Sequence, residues 1–264
     1  MRAVVFAMLA FSGAWSQSMA QVNQQPTIML TIFAGAGTGH DLWTIQKQPL
    51  QVIGTSEYDT LRLSQAISSS IILGAGATYF PSPHIGFHVE LSYIGLPVDG
   101  GCTGLFFYPD FEEKNAQTCA DIQARSADGG SIAIFTGATL RAASRASISP
   151  YARVDLGIVD QSRSTIEVVG GFTTANGPGV REVISDPNPR RVSPMFGAAV
   201  GFTRPLSPGY QFRWEIRDLL VPLARATGPA SALAIAPIAS RFYHHFSLIL
   251  GLDVVLEKKR GRRY

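Results

Sequence analysis

From position 246 to 256 the chain alternates with period two. Phe246, Leu248, Leu250, Leu252, Val254 and Leu256 are uniformly apolar, whereas Ser247, Ile249, Gly251, Asp253 and Val255 are small, mixed or charged. Successive side chains of a strand point to opposite faces, so this segment predicts a ribbon with one oily and one mixed face. Seven further segments fit the same template, over residues 27–37, 61–79, 84–96, 131–142, 150–160, 193–203 and 210–220. In the third, Ile85, Phe87, Val89, Leu91 and Tyr93 oppose His88, Glu90 and Ser92. In the seventh, Tyr210, Phe212, Trp214 and Ile216 oppose Gln211, Arg213, Glu215 and Arg217. Each segment reaches or exceeds the roughly 9–11 residues that carry a tilted strand across a bilayer.

The connections alternate in length. Tight turns at 80–83 and 204–209, and a short segment ending in Pro150, join strands two to three, six to seven and four to five. The other connections begin near Thr38, Pro97, Gln161 and Val221 and are long. Short turns on one side and long loops on the other predict an all-β, eight-stranded antiparallel up-and-down barrel, with short periplasmic turns and long extracellular loops. A soluble exported sandwich or lipocalin-like binder also alternates, but it has no reason to sort its loops by side.

In this layout the chain resembles the small eight-stranded bacterial outer-membrane β-barrels of the OmpA/OmpX type. The strand from Tyr210 to Arg217 and the closing pattern Gly251, Val254, Leu256 carry the resemblance. It implies residence in the outer membrane, contact with its lipids and lipopolysaccharide, and insertion by the barrel-assembly machinery. Gly251, Val254 and Leu256 would then be the assembly signal. The family usually stops at a terminal aromatic on the last strand. This chain runs on through a basic tail to Tyr264, so either Leu256 or Tyr264 completes the signal.

Outward oily faces put the opposite faces inside. Arg141, Arg153, Arg213 and Arg217 then share the lumen with Glu90, Asp155, Glu215 and Asp253. An eight-stranded barrel is just wide enough to be filled by its own side chains. Isolated charges there cost several kcal/mol each, so these eight are expected to pair and fill the lumen. Glycines 74, 76, 197, 201 and 251 are expected to make room for the arginines. His88 reads as a packed interior histidine. Aromatics at strand ends predict interfacial girdles: Tyr79, Phe80, Phe202 and Tyr210 on one side, Tyr93, Phe242 and Tyr243 on the other.

Residues 1–20 have the order of a signal peptide: Arg2, an apolar run to Trp15, then Ser18-Met19-Ala20 before Gln21. The barrel domain is assigned to 21–257 and a basic periplasmic tail to 258–264. That tail supplies much of the net charge of +3, and with no stacking aromatics upstream it reads as solvated rather than as a nucleic-acid handle. Cys102 and Cys119 lie in one predicted loop of an exported chain and predict a disulfide.

No motif sets up nucleophilic catalysis, no cofactor fingerprint is present, and a monomer is expected. The candidates weighed for rim chemistry on lipid are His40-Asp41 and His244-His245, brought near each other where the first and last strands close. Asp110, Glu112 and Glu113 lack an ordered calcium-ligand spacing. The sequence therefore predicts a barrel with a filled lumen and function in its loops, with a narrow channel for small or hydrophobic solutes and a rim-active lipid enzyme as alternatives.

Overall fold

Each of the eight alternating segments contributes one strand to a single closed antiparallel barrel in the computed structural model, which describes residues 27–109, 112–127, 129–142, 147–162, 164–186, 190–223 and 241–256. The signal segment 1–20 and the basic tail lie outside the described residues. In chain order the elements begin with β1 (Thr27–Gly37), β2 (His40–Gln51), β3 (Tyr58–Ile67), β4 (Ser70–Phe80), β5 (Ile85–Gly95) and β6 (Val98–Phe106). Helix α1 (Lys114–Ala124), β7 (Ser126–Ala127), β8 (Gly130–Arg141) and β9 (Ser149–Gln161) follow. The rest are β10 (Val168–Thr174), β11 (Gly177–Ile184), β12 (Arg191–Ser207), β13 (Tyr210–Leu223) and β14 (Arg241–Leu256).

The barrel runs β1-β14-β13-β12-β9-β8-β5-β4 and closes where β4 pairs with β1. Closure leaves no unpaired edge in the wall, the one condition under which strands can cross lipid. The alternation sorts as the sequence predicts. On β5 burial reads out-in along the whole strand, with Phe87, Val89 and Leu91 more than half exposed and His88, Glu90 and Ser92 buried. Val154, Leu156 and Ile158 on β9 and Leu248 and Leu250 on β14 continue the exposed belt. Burying such side chains in acyl tails stabilises each by about 1.5–3 kcal/mol relative to water. An exposed belt of this size on all sides of a barrel is what lipid covers.

The girdle assignment needs two corrections. Phe80 and Tyr243 are buried and point inward; Tyr79 and Phe242, their neighbours in sequence, are the ones exposed. Adjacent residues of a strand cannot share a face.

The long connections are not irregular loops. Residues predicted as one strand over 61–79 form two, β3 and β4, interrupted at Ser68-Ser69. β2, β3, β6 and β7 make a second, four-stranded sheet beyond the barrel, and β10 pairs with β11 as a separate hairpin. Helix α1 is bonded to β6 by the Cys102–Cys119 disulfide, with Cα atoms 5.3 Å apart. It also packs on β10, where Gly170 leaves no room for a side chain against Thr118. Glu113, which starts the helix, holds a left-handed backbone with φ of +47°.

A buried polar clasp ties these pieces together. Asn115 donates to the Asp59 carboxylate at 2.7 Å, and Arg181 of β11 donates to the Asn115 side-chain oxygen at 2.6 Å and also to the backbone oxygen of Gln51. Asp59 also accepts from the Tyr108 backbone N–H at 2.7 Å. Partial burial lowers the Arg181 pKa, and the nearby Asp59 carboxylate works against that shift. Trp43 donates its indole N–H to the Thr165 carbonyl, joining the sheet to the segment before β10. Leu42, Leu61, Leu63, Ile122, Ile166 and Val183 form the core of this outer domain.

Candidate functional site

Inward-facing side chains divide into two layers. At mid-barrel and toward the short turns they are charged. Arg217 of β13 donates to both oxygens of Glu90 on β5, at 2.5 and 3.0 Å, and to Glu215 on its own strand at 2.8 Å. Arg153 of β9 meets Glu90 at 2.9 Å, Asp155 at 2.9 Å and Glu215 at 3.5 Å. Arg213 faces Asp253 at 3.2 Å, whose carboxylate also accepts from the Thr31 hydroxyl at 2.7 Å. All seven of these charged side chains are buried, and each has at least one partner of opposite charge. A buried charge is tolerable only when paired and hydrogen-bonded in this way.

Arg141 departs from the predicted set. It sits at the end of β8, donates to the Pro83 carbonyl at 3.1 Å and lies 4.3 Å from the centre of the Phe80 ring. Parity put it inside, but its height puts it at the short-turn mouth. His88 of β5 joins the layer from the inner face, with its Nε2 2.5 Å from Asp155. Its Nδ1 lies 3.2 Å from the Thr139 hydroxyl. Tyr151 completes the layer by donating its phenol to Glu215 at 2.8 Å. Sequence parity placed His88 and Tyr151 inside, but the partner each finds is on a strand more than sixty residues away.

The glycines serve a different purpose from the one predicted. A Cβ on Gly74 would lie 2.2 Å from the Phe33 ring, one on Gly201 would lie 2.9 Å from the Tyr151 hydroxyl, and one on Gly76 would crowd Glu90. One on Gly197 would approach Leu219 and Asp155. Only at Gly251, among these five, is an arginine (Arg213) one of the near neighbours. The space goes mostly to aromatic rings and carboxylates, and the Phe33 ring in turn lies 5.3 Å from the Arg217 guanidinium.

Toward the outer end the inward side chains become mostly apolar: Ile72, Ile94, Val159, Met195, Leu219 and Ile249 are all buried, with Ser70, Ser131, Gln161 and His245 among them. They belong to one hydrophobic cluster with Leu42, Leu61, Leu63 and Ile166 of the outer domain. The ion-paired layer therefore lies beneath a largely apolar layer that continues into the cap.

The rim histidines are brought near one another, but not into a catalytic set. His40 stacks on Tyr243, with ring centres 6.4 Å apart. His245 points inward, is buried, and lies 2.8 Å from the Ser70 hydroxyl. His244 points outward and bonds Asp218 at 2.8 Å. The serine–histidine contact is therefore enclosed beneath the cap, on the side of the wall away from lipid. Asp110 lies outside the described residues, and Glu112 pairs with Lys114. Among the described residues no cluster of three or more His, Cys, Asp or Glu side chains is arranged to hold a metal ion.

Neither a protein-family model nor a curated protein sequence matches the chain. Among solved structures, the outer membrane protein OprG from Pseudomonas aeruginosa is similar over 89% of this chain and 97% of its own, at 11% identity and a TM-score of 0.52. Neisserial surface protein A is similar over 88% of this chain and 99% of its own, at 9% identity and a TM-score of 0.40. The N-terminal β-barrel domain of Pseudomonas aeruginosa OprF covers the same shares at 8% identity and a TM-score of 0.38. At these identities the likeness is one of architecture. The fold is that of the small eight-stranded outer-membrane barrels.

Proposed function

We propose that the chain is an integral outer-membrane protein whose barrel is a closed, ion-paired platform for an ordered extracellular domain, and that its work is surface interaction or envelope integrity. The observation that carries this reading is the bridging of the lumen by Arg153 and Arg217. Between them they link β5, β9 and β13 through Glu90, Asp155 and Glu215. Opening a path would require breaking several buried charge pairs at about 3–5 kcal/mol each. The apolar layer above, shared with the cap, adds a second obstacle to water and ions.

On this reading Gly251, Val254 and Leu256 lie on the strand that the assembly machinery would read, and the outward belt contacts lipid and lipopolysaccharide. Residues 1–20 would be removed on export. The disulfide and the Asn115 clasp keep the extracellular domain in one shape, as a docking surface requires. The Ser70–His245 contact has a structural role beneath the cap.

Reconstitution into planar bilayers tests the proposal. A closed platform gives no stepwise conductance at moderate voltage. Steady single-channel steps from the purified protein would favour the channel reading and remove this one.

A further inference from the structure

Positive charge collects at the short-turn end of the barrel. The turns at 81–84, 142–148 and 204–209 contain no acidic residue. With Arg141 and the tail 257–264, which follows β14 at this same end, they bring eight arginines and lysines against one acid, Glu257. The whole chain is only +3, so the remainder of it is net acidic. Arg141 is already engaged by the Pro83 carbonyl and the Phe80 ring, and Glu257 offsets one more cation. Six positive charges remain without a counter-charge in these segments. The buried Asp253 is no source of one, since it is taken by Arg213.

Placement selects the partner. Arg204 lies two positions beyond Phe202, whose ring stacks on Trp214 at 5.3 Å, and it pairs across the ladder with Phe212. It therefore shares their outward face. It is exposed and has no ion-pair partner among the described residues. Leu206 and Tyr210 are exposed beside it. A long cation among aromatics at the end of a lipid-facing strand stands at headgroup depth. Between the same turn and the end of β14, a cleft of about 340 Å³ opens among Pro205, Leu206, Ser207, Tyr210, Gln211 and Val255. The Gln211 side-chain oxygen is buried with no hydrogen-bond partner among the described residues, so the cleft offers room and an acceptor for a headgroup hydroxyl. The tail leaves the wall at Leu256, an exposed belt residue, which puts Lys258 two residues from the lipid-facing surface. A basic cluster directly beside a membrane-spanning segment attracts anionic headgroups.

We propose that this end binds anionic glycerophospholipids of the inner leaflet, with Arg204 and the tail cations holding their phosphates. The inference rests on the membrane placement of the barrel. Trp214 in the wall judges both separately: without insertion it is quenched by no lipid, and without a headgroup preference it is quenched equally by all.

The full chain is refolded into vesicles containing chain-brominated phosphatidylglycerol or phosphatidylcholine at equal mole fraction, with Trp214→Phe as the baseline for the other tryptophans. The proposal expects phosphatidylglycerol to associate about fivefold or more over phosphatidylcholine at low salt, with the preference falling as salt rises. Replacing the five basic tail residues with serine, which leaves the barrel sequence intact, lowers the preference. Adding Arg204→Ser brings it near one, with the gel shift of the folded barrel retained. Equal quenching of the wild type by both lipids overturns the proposal, as does a preference that survives the combined variant. Co-sedimentation with purified peptidoglycan that the combined variant loses, without any lipid preference in the wild type, would assign this end to the wall polymer and overturn it too.

Discussion

Arg217 and Glu90 form a two-pronged bridge, at 2.5 and 3.0 Å, between strands on opposite sides of the barrel. β13 and β5 are four places apart in a ring of eight, so this single pair spans the lumen. Arg217→Met leaves both Glu90 and Glu215 short of a partner. It should lower unfolding stability by about 3–5 kcal/mol, read from urea titrations in detergent or lipid. Adding Glu90→Met should recover part of that loss, since replacing both members of a buried pair is milder than removing one. Additive losses would show that the bridge is not an energetic unit.

The outward belt predicts a depth-dependent cost for charge. Val154 lies near the middle of β9 and is 61% exposed, whereas Ile28 is at the short-turn end of β1. Val154→Arg should cost about 2–4 kcal/mol in a bilayer, and Ile28→Arg about 0–1. Refolding into vesicles, followed by the gel-mobility shift between folded and heated barrel, measures both.

The outer domain should loosen without the barrel. Cys102→Ser with Cys119→Ser opens a loop whose closure is worth about 3 kcal/mol in the chain-entropy model. Asn115→Ala leaves the buried Asp59 carboxylate and Arg181 short of a partner, at about 1–3 kcal/mol. Either change should raise hydrogen exchange and protease cutting around α1 while the gel shift of the barrel stays unchanged. A barrel that unfolds along with the cap would contradict this separation.

Close packing inside the wall predicts intolerance at particular glycines. A Cβ on Gly137 would lie 2.0 Å from the Val154 carbonyl oxygen and 2.9 Å from the His88 ring. Backbone cannot yield as a side-chain tip can. Gly137→Ala should therefore destabilise by about 1–3 kcal/mol, whereas Gly54→Ala, in open space but at positive φ, should cost about 1 kcal/mol through backbone strain alone.

Barrel strands were legible because one-sided exposure repeats every two residues for the full length of each. The outer sheet was not, because its pattern is broken. β2 carries irregularities between Asp41 and Trp43 and between Ile45 and Gln48, which throw Leu42, Trp43 and Ile45 out of a simple alternation. Leu61 and Leu63 of β3 lead into β4 through Ser68-Ser69-Ser70, a break marked by serines alone with no glycine or proline, so the two read as one ribbon.

Parity gives a face but not a height. It placed Arg141 correctly on the inner face and missed that the end of β8 lets it bend to Pro83. It also contained the correction for Phe80, since Tyr79 beside it already occupied the outer face. The His88–Asp155 contact joins residues 67 apart in the chain, a distance set by barrel register and not by any local pattern.

Everything depends on which way the two faces of each ribbon point, and collision quenching of spin labels in lipid measures it directly. Labels at Val89, Leu156 and Leu248 should be reached by oxygen, which concentrates in acyl chains, and shielded from a water-soluble nickel chelate. Ready access of the chelate to those three positions would place the oily face against water and contradict the account.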